Sequence, residues 1–518
     1  MSYWLEAVRW SICTLEQVRC LRYFVTEPGE RNMEDRISRI IMRFAWIPLL
    51  LGMIGYYSVE GLPFFEALYD TCALYFVNPT TDETNIWIML AKMTALIVAA
   101  GVVLSFLTSV YRAIDRFFMH FFNDSTAVYT DNEVGEKFQD KLKHGFYARI
   151  DRRKKVERAK YHIIFLDDDT KTLQFYEERK DSFGKSIICI LVRDMDPFLL
   201  NAINREGVRI INIYELMARK FWRRFHLFDV RKKKDYSISI IGYGNIGRAI
   251  FRYGYLNNIY SLDQKITYHL WGCDESDSVF LTSLNTMNKD GIVVHSKKWQ
   301  DDLDEIAKAD RVIITEEEYA MQITQEVLYR NQGAEIFYFN EEGRQWGGFY
   351  AGNNLTYFGD LDEYLTEEDI KEERLYRLGK LFNYDYSLRY GGSPEDSFDE
   401  AEIASEWYAL PGFKKASSMA RGDHYWIEKR IREEGEFSEE EFWEIEHIRW
   451  SRFHFINHWT YAPERDNAAR KHNLLVPFEE LPLSEKEKDG IYGSITRREI
   501  DRLIDEEESE LKKDTVLK

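Results

Sequence analysis

Two long apolar stretches stand near the start of a chain that is otherwise densely charged. The first, FAWIPLLLGMIGYYSV, runs from Phe44 to Val59 without a charge. The second, IWIMLAKMTALIVAAGVVLSFLTSV, runs from Ile86 to Val110 with Lys92 as its single charge. A helix of the first length rises only about 24 Å, so Ile40, Ile41 and Met42 are needed to complete a crossing. Pro48 is tolerated in such a helix with a kink. The second stretch is long enough to span with some tilt; Lys92 is expected to snorkel outward from it, with a pore-facing lysine that opposes cations as the alternative. The pattern therefore predicts two membrane helices, with core helices of a soluble domain as the competing reading.

Beyond residue 123 the pattern changes. Short runs rich in Ile, Val, Phe and Tyr alternate with amphipathic helical segments, as expected of parallel α/β folds. Strand candidates in the first such block (124–232) are TAVYT, YHIIF, SIICILV and VRIIN. In the second (233–361) they are SISII, ITYHLWG, GIVVHS, DRVIIT, AEIFYFN and NLTYFG. The stretch 362–495 is helix-rich and aromatic. The final helix, Thr496–Lys512, carries mixed charges and reads as a solvated tail within 496–518.

Charge orients the spans. Arg31, Arg36, Arg39 and Arg43 precede the first, and Arg112 and Arg116 follow the second. Between them lie Glu60, Glu66, Asp70, Asp82 and Glu83 but no Lys or Arg. Cationic flanks stay cytoplasmic, which predicts a multi-pass protein of the cell (inner) membrane with both termini inside. The first apolar run lies too deep for a secretory signal. Residues 1–36, with apolar positions at helical spacing in Ser2–Phe24, form either an interfacial helix or a cytosolic one. The net charge of −19 over 518 residues disfavours a nucleic-acid partner. The five cysteines are scattered without a CxxC pair, so neither a disulfide framework nor a zinc site is expected.

The region 37–123 carries a further feature between its spans. FFEALYDTCALYFVNPTTDE joins an aromatic-rich helix pattern to a polar turn, within 62–84. Irregular backbone at membrane depth survives only when buried in protein or lining water, which a re-entrant loop satisfies. Through Glu66-Ala67-Leu68-Tyr69 and Thr71 this stretch resembles the pore helix of two-span potassium-type channels. That resemblance implies a homotetramer with a cation pore. Where that family keeps a glycine-containing filter, this chain has Val77, Asn78, Pro79, Thr80, Thr81, Asp82 and Glu83. The missing glycines put potassium selectivity in question, while Asp82 and Glu83, repeated by symmetry, would ring the pore with negative charge. An ordinary solvated loop is the plain alternative.

In the second α/β block, SISII leads straight into Gly242-Tyr243-Gly244-Asn245-Ile246-Gly247 and then an amphipathic helix. This is the strand–turn–helix setting in which GxGxxG cradles a diphosphate at a helix N-terminus. Asp274, at the end of the next strand, is placed to bond a ribose hydroxyl. The site residues are thus Gly242, Gly244, Asn245, Ile246, Gly247 and Asp274, with NAD(H) or another nucleotide as regulatory ligand; a Rossmann lobe that binds nothing is the alternative. In the first block Gly135 is what remains of an eroded turn, and Asp167, Asp168 and Asp169 cap the following helix. Both blocks resemble TrkA-N/RCK lobes, which implies regulation of ion conductance by a cytoplasmic ring.

The segment from Glu446 to Leu481 packs uncommon residues closely: Glu446, His447, Arg449, Trp450, Trp459, Tyr461, Arg465, Lys471, His472 and Pro477. It resembles the RyR domain, the ryanodine receptor repeat and its bacterial relatives. The resemblance implies a small helical domain recognising a nucleotide-derived ligand. Trp450 and Trp459 would stack a base, and Arg449, Arg465 and Lys471 would hold a phosphate, with Tyr461 and His472 as further candidate site residues; an equal alternative makes the tryptophans core and the arginines structural. Tyr376 and Lys380 have the YxxxK spacing of short-chain dehydrogenases, but they follow the sheet, where chance explains them better.

Together these features predict two spans plus a pore helix, doubly wound Rossmann-like lobes in the cytoplasm, and a mainly α C-terminal RyR-like domain. The function expected is that of a non-enzymatic, ligand-gated channel, its bridge Tyr111–Asn123 pulling on the second span. The competing functions are a membrane-anchored NAD(H)-dependent oxidoreductase and a nucleotide-activated, membrane-disrupting effector without a filter.

Overall fold

The computed structural model describes residues 44–76, 85–119, 122–148, 150, 156–200, 205–233, 235–341, 354–371, 374–435 and 437–516. The chain divides into two compact units, residues 1–150 with 157–160, and residues 151–156 with 161–518.

In the first unit, helix α1 (Ile47–Met53) starts on Pro48 and continues as a π-turn, Ile54–Val59. Proline suits a helix start because its missing N–H would have no partner there. Helix α2 (Phe64–Ala73) follows, then α3 (Ile86–Met119). Asn85 caps α3, its Oδ1 accepting from the N–H of Trp87 and Ile88, both at 3.0 Å. Tyr56, Ala67, Leu74, Ile88, Ala91 and Ala95 form a small core among these helices. Gly52 and Gly55 allow close approach. A Cβ on either would stand 2.5 Å from Thr71 or Ile88, respectively.

Among the described residues one helical segment, Ile86–Val103, is long and apolar enough to cross a membrane. The apolar helix Ile47–Val59 is shorter, and Ile40–Met42, needed to lengthen it, lie outside the described residues. A short helix, α2, does stand between the two apolar stretches, and α3 carries the expected bridge onward to Met119. Strand β1 (Thr126–Thr130), helix α4 (Glu133–Lys141) and strand β2 (Gly145–Tyr147) complete the unit, the strands pairing in parallel. The eroded turn is tight at Gly135, whose N–H reaches Asn132 Oδ1 at 2.8 Å.

The second unit opens with parallel strands β3 (Tyr161–Phe165), β4 (Ile187–Val192) and β5 (Val208–Asn212), with α5 (Asp169–Arg179) and α6 (Ile213–Arg224) after β3 and β5. Asp168 caps α5 by accepting from Lys171 N–H at 2.8 Å. Its neighbour Asp169 instead accepts from three backbone N–H groups, those of Arg193, Asp194 and Met195.

Next comes a six-stranded, all-parallel sheet: β6 (Asp235–Ile241), β7 (Lys265–Trp271), β8 (Gly291–Val294), β9 (Arg311–Ile314), β10 (Glu335–Phe339) and β11 (Leu355–Phe358). All six expected strands are present. Their spatial order, β11-β10-β9-β6-β7-β8, makes β6 the switch point of a Rossmann-like sheet. Helices α7 (Asn245–Asn257), α8 (Glu275–Thr282) and α9 (Ala320–Arg330) link these strands. Helix α7 lies tight on α6, because Gly254 leaves room for the Trp222 ring and Trp222 Nε1 donates to Ile250 O at 2.7 Å.

The remainder is helical: α10 (Arg374–Gly391), α11 (Glu400–Ala409), α12 (Gly412–Glu434), α13 (Glu439–Ile456) and α14 (Ser494–Val516). Gly435, at φ +70°, ends α12, and a Ser438/Glu441 capping box starts α13. The closing helix differs from the solvated tail expected. Ile500 and Ile504 are buried, and Asp501 and Asp505 bond Tyr425 and Lys429 of α12. Two isoleucines four apart give α14 a narrow apolar stripe that the surrounding charges obscure in the sequence.

Candidate ligand-binding sites

The glycine-rich turn joins β6 to α7 at the switch point. Gly242 has φ +97°, and a Cβ there would stand 2.9 Å from both Glu316 N and Thr315 Oγ1. A Cβ on Gly247 would crowd the Gly242 carbonyl and lie 2.9 Å from Thr315 Oγ1. Thr315 Oγ1 itself sits 2.5 Å from Gly242 O, fixing the turn. Gly244, the N-cap of α7, has nothing within 4 Å of a Cβ position, so the backbone there is open to a ligand. Two of the three glycines thus serve packing, and one provides the approach. Ile246 is buried beneath the turn and acts as packing, whereas Asn245 is exposed and donates through Nδ2 to Asp194.

Asp274 is otherwise engaged than the ribose role requires. Its Oδ1 caps α8 by accepting from Asp277 N–H at 2.7 Å, and Arg248 lies 3.6 Å from its other oxygen. Its side chain stays well exposed, so a free face remains. Beside it, burial and the Asp277 and Asp274 charges push the Cys273 thiol up to about 12, which makes it inert as a nucleophile.

In the C-terminal part, α13 and two short parallel strands, β12 (Thr460–Tyr461) and β13 (Lys471–His472), bring the other candidate residues near one another. They fall into an inner and an outer group. Trp459 is buried against Phe413, ring centroids 5.2 Å apart. His472 is buried, its Nδ1 accepting from Leu474 N–H at 3.1 Å. Arg449 is almost wholly buried and bonds both oxygens of Glu446 at 2.7 Å, so it does not present a guanidinium to an outside phosphate. Burial explains the difference: on α13, Glu446 and Arg449 are three residues apart and close their own ion pair inside the core.

The outer group is Tyr461 and Arg465, both exposed, with half-buried Lys471 and Trp450. Arg465 Nε bonds Asn467 Oδ1 at 2.8 Å, and Lys471 Nζ bonds Thr460 Oγ1 at 2.6 Å. Trp450 packs on His454 at 4.0 Å between centroids and edge-on to His472 at 5.0 Å. Burial pushes the imidazole of His454 down to about 3 and that of His472 to about 4, so both are neutral at physiological pH. His454 carries no motif of its own in the sequence. Its i, i+4 spacing from Trp450 on a helix was the available signal.

A buried group of three, His424, Glu428 and Glu446, offers ligand atoms within 4.8 Å of one another. His424 Nε2 is bonded to Ile259 O at 2.7 Å, and its Nδ1 stands 3.7 Å from Glu428 Oε1. Glu446 is already held by Arg449, with Arg421 Nε at 3.6 Å, so two fixed cations adjoin that corner. Tyr376 and Lys380 form no dyad facing a substrate. The tyrosine hydroxyl donates to Ile210 O at 2.9 Å, and the Lys380 ammonium lies over the Tyr408 ring. The candidate pore residues Val77, Asn78, Pro79, Thr80, Thr81, Asp82 and Glu83 lie outside the described residues.

Fold and sites together describe a multidomain protein of parallel-sheet, Rossmann-like α/β lobes with a helical C-terminal part. Residues 428–494 match the family model of the RyR domain. No curated protein matches the chain. Among solved structures, a dipicolinate synthase polypeptide from Bacillus halodurans is similar at 10% identity, over 44% of this chain and 77% of that one. The TM-score is 0.19, and at that level the likeness carries no argument.

Proposed function

We propose that the protein is a ligand-gated cation channel of the cell membrane, a homotetramer with both termini in the cytoplasm. In this reading, Rossmann-like lobes acting in the manner of TrkA-N/RCK domains, with the RyR domain, sense a nucleotide-type ligand and gate a pore built from Phe64–Val110. The observation that carries the sensing half is the glycine turn open at Gly244, set at the switch point of a six-stranded parallel sheet. The pore half rests on α3. Only 28% of its Ile86–Val103 segment is buried, so its apolar flank needs lipid or other subunits to cover it. The short helix α2 ahead of the Val77–Glu83 loop supports a re-entrant arrangement.

No catalytic role is proposed for Tyr376, whose hydroxyl is committed to a backbone carbonyl. A ligand gates only by preferring one of two states, and α3, running on from the apolar segment to Met119, is the element to be pulled. The test is conductance of the purified protein in planar bilayers, with and without NADH or ADP-ribose. Ligand-dependent, cation-preferring current supports the reading; NADH oxidation without current overturns it. A second reading, a nucleotide-activated effector that breaches the membrane unselectively, is favoured by the lack of glycine from Val77 to Glu83. It would give current with no ion preference.

A further inference from the structure

The segment that leaves β4 is built as a rigid strut. Asp169 accepts from the N–H groups of Arg193, Asp194 and Met195 at 2.9, 2.8 and 3.2 Å. Asn212 Nδ2 donates to the carbonyls of Arg193 and Met195 at 2.9 and 3.0 Å. Farther along, Pro197 is buried and the Phe198 carbonyl lies against Gly412 at the start of α12. The strut is thus held on several sides, and at its tip the Asp194 carboxylate accepts from Asn245 Nδ2.

Asn245 is the first residue of α7, next to the open Gly244. Unpaired N–H groups and the positive end of the helix dipole make this the place where a diphosphate would rest. The strut brings a carboxylate of the neighbouring lobe to that place. Burial and the nearby Asp169 charge raise the pKa of Asp194, a sign that its negative charge is already crowded. The adjoining Arg193 offsets this only in part, and the other local cations are engaged elsewhere. Arg248 is engaged by Asp277 at 2.7 Å, and Arg252 stands between Asp196 and Glu215 at 4.0 and 3.9 Å.

We propose that Asp194 is a latch on the glycine-rich loop, a built-in carboxylate that a phosphate-bearing ligand must displace from Asn245 in order to bind. The latch rests on the reading of this turn as a nucleotide site. It gives that reading a mechanism, because ligand binding then breaks a fixed contact between two lobes. An exposed hydrogen bond and one like charge are weak enough to be broken by a ligand.

The test titrates NADH and, separately, ADP-ribose into the full-length protein in detergent by calorimetry. It compares the wild type with Asp194→Asn, Asp194→Ala and Gly244→Asp. Both substitutions at 194 are expected to tighten binding about tenfold, with Ala at least as effective as Asn, and Gly244→Asp to abolish it. If the wild type binds, Gly244→Asp does not, and the 194 variants match the wild type, the latch is wrong while the site stands. If neither the wild type nor the 194 variants bind either nucleotide, the site reading fails and the latch with it.

Discussion

Arg452 of α13 and Asp290, just ahead of β8, face each other at 2.7 Å with neither side chain reaching solvent. The remaining donors of Arg452 go to Thr286 O, Tyr255 O and Asn288 Oδ1 at 2.8, 2.9 and 2.6 Å. Asp290 also accepts from Ile266 N–H and Gln264 Nε2. One buried, multiply bonded pair therefore ties a RyR-domain helix into the Rossmann-like sheet. With Arg219 gripping Asp423 at 2.7 and 2.6 Å, it couples the C-terminal helices to both sets of parallel strands in the second unit.

Removing one partner of such a pair strands a buried charge. Arg452→Ala is expected to cost about 3–5 kcal/mol in urea unfolding. The double variant Arg452→Met with Asp290→Asn should cost less than the sum of the two single changes. A loss below about 1 kcal/mol for Arg452→Ala would mean that water reaches the pair.

The neutral histidines make the C-terminal domain acid-sensitive. An unfolded histidine takes up a proton near pH 6.5, whereas folded His454 and His472 resist it down to about 3 and about 4. The unfolded state therefore binds more protons in this window. Stability is full above pH 6.5 and falls as pH drops toward those values, by up to about 1.4 kcal/mol per unit for each histidine. Asp489, pushed up mainly by burial and then by Glu446, works in the opposite sense, its share being present at low pH and lost as pH rises. Melting temperatures should fall from pH 7 to pH 5, and His454→Leu should make that slope shallower without abolishing it, since burial also lowers His226 and His447. A slope unchanged in the variant would place the acid response elsewhere.

A methyl group at Gly254 would stand 2.7 Å from Trp222 Cζ2. Gly254→Ala is expected to destabilise by about 1–3 kcal/mol through overpacking between α6 and α7, read as a lowered melting temperature. A neutral result would show that the two helices can slide apart cheaply.

The inner and outer groups of the RyR domain should separate in mutagenesis. Arg465→Ala and Lys471→Ala should each weaken a phosphate-bearing ligand about tenfold without lowering the melting temperature. Arg449→Ala should lower stability by more than about 2 kcal/mol, because Glu446 loses its buried partner. Ligand affinity lost together with stability in all three would merge the groups into one structural core.

If Asp82 and Glu83 ring the pore, replacing them with Asn and Gln should reduce cation preference, seen as a reversal potential shifted toward zero under a salt gradient. Identical reversal potentials would assign the loop to the solvated surface.

Much of this architecture was readable along the chain. Six strands of the second sheet, its glycine turn and the helical character of the last third all follow from hydrophobic period and turn chemistry, which are local properties. So was the place of the RyR domain, whose uncommon residues cluster within one short segment.

Which side of a motif faces outward was settled only by packing. Arg449 and Arg465 look alike as phosphate ligands in the sequence, yet one closes a buried pair with Glu446 and the other stands in solvent. Asp194 and Asn245 are far apart along the chain, as are Arg452 and Asp290, and nothing in the spacing of either pair announces a partner. Hydrophobic pattern encodes the elements because it is a property of neighbours along a strand or helix. Pairings between charges depend on how those elements dock, and that is decided by shapes and burial that no single segment contains.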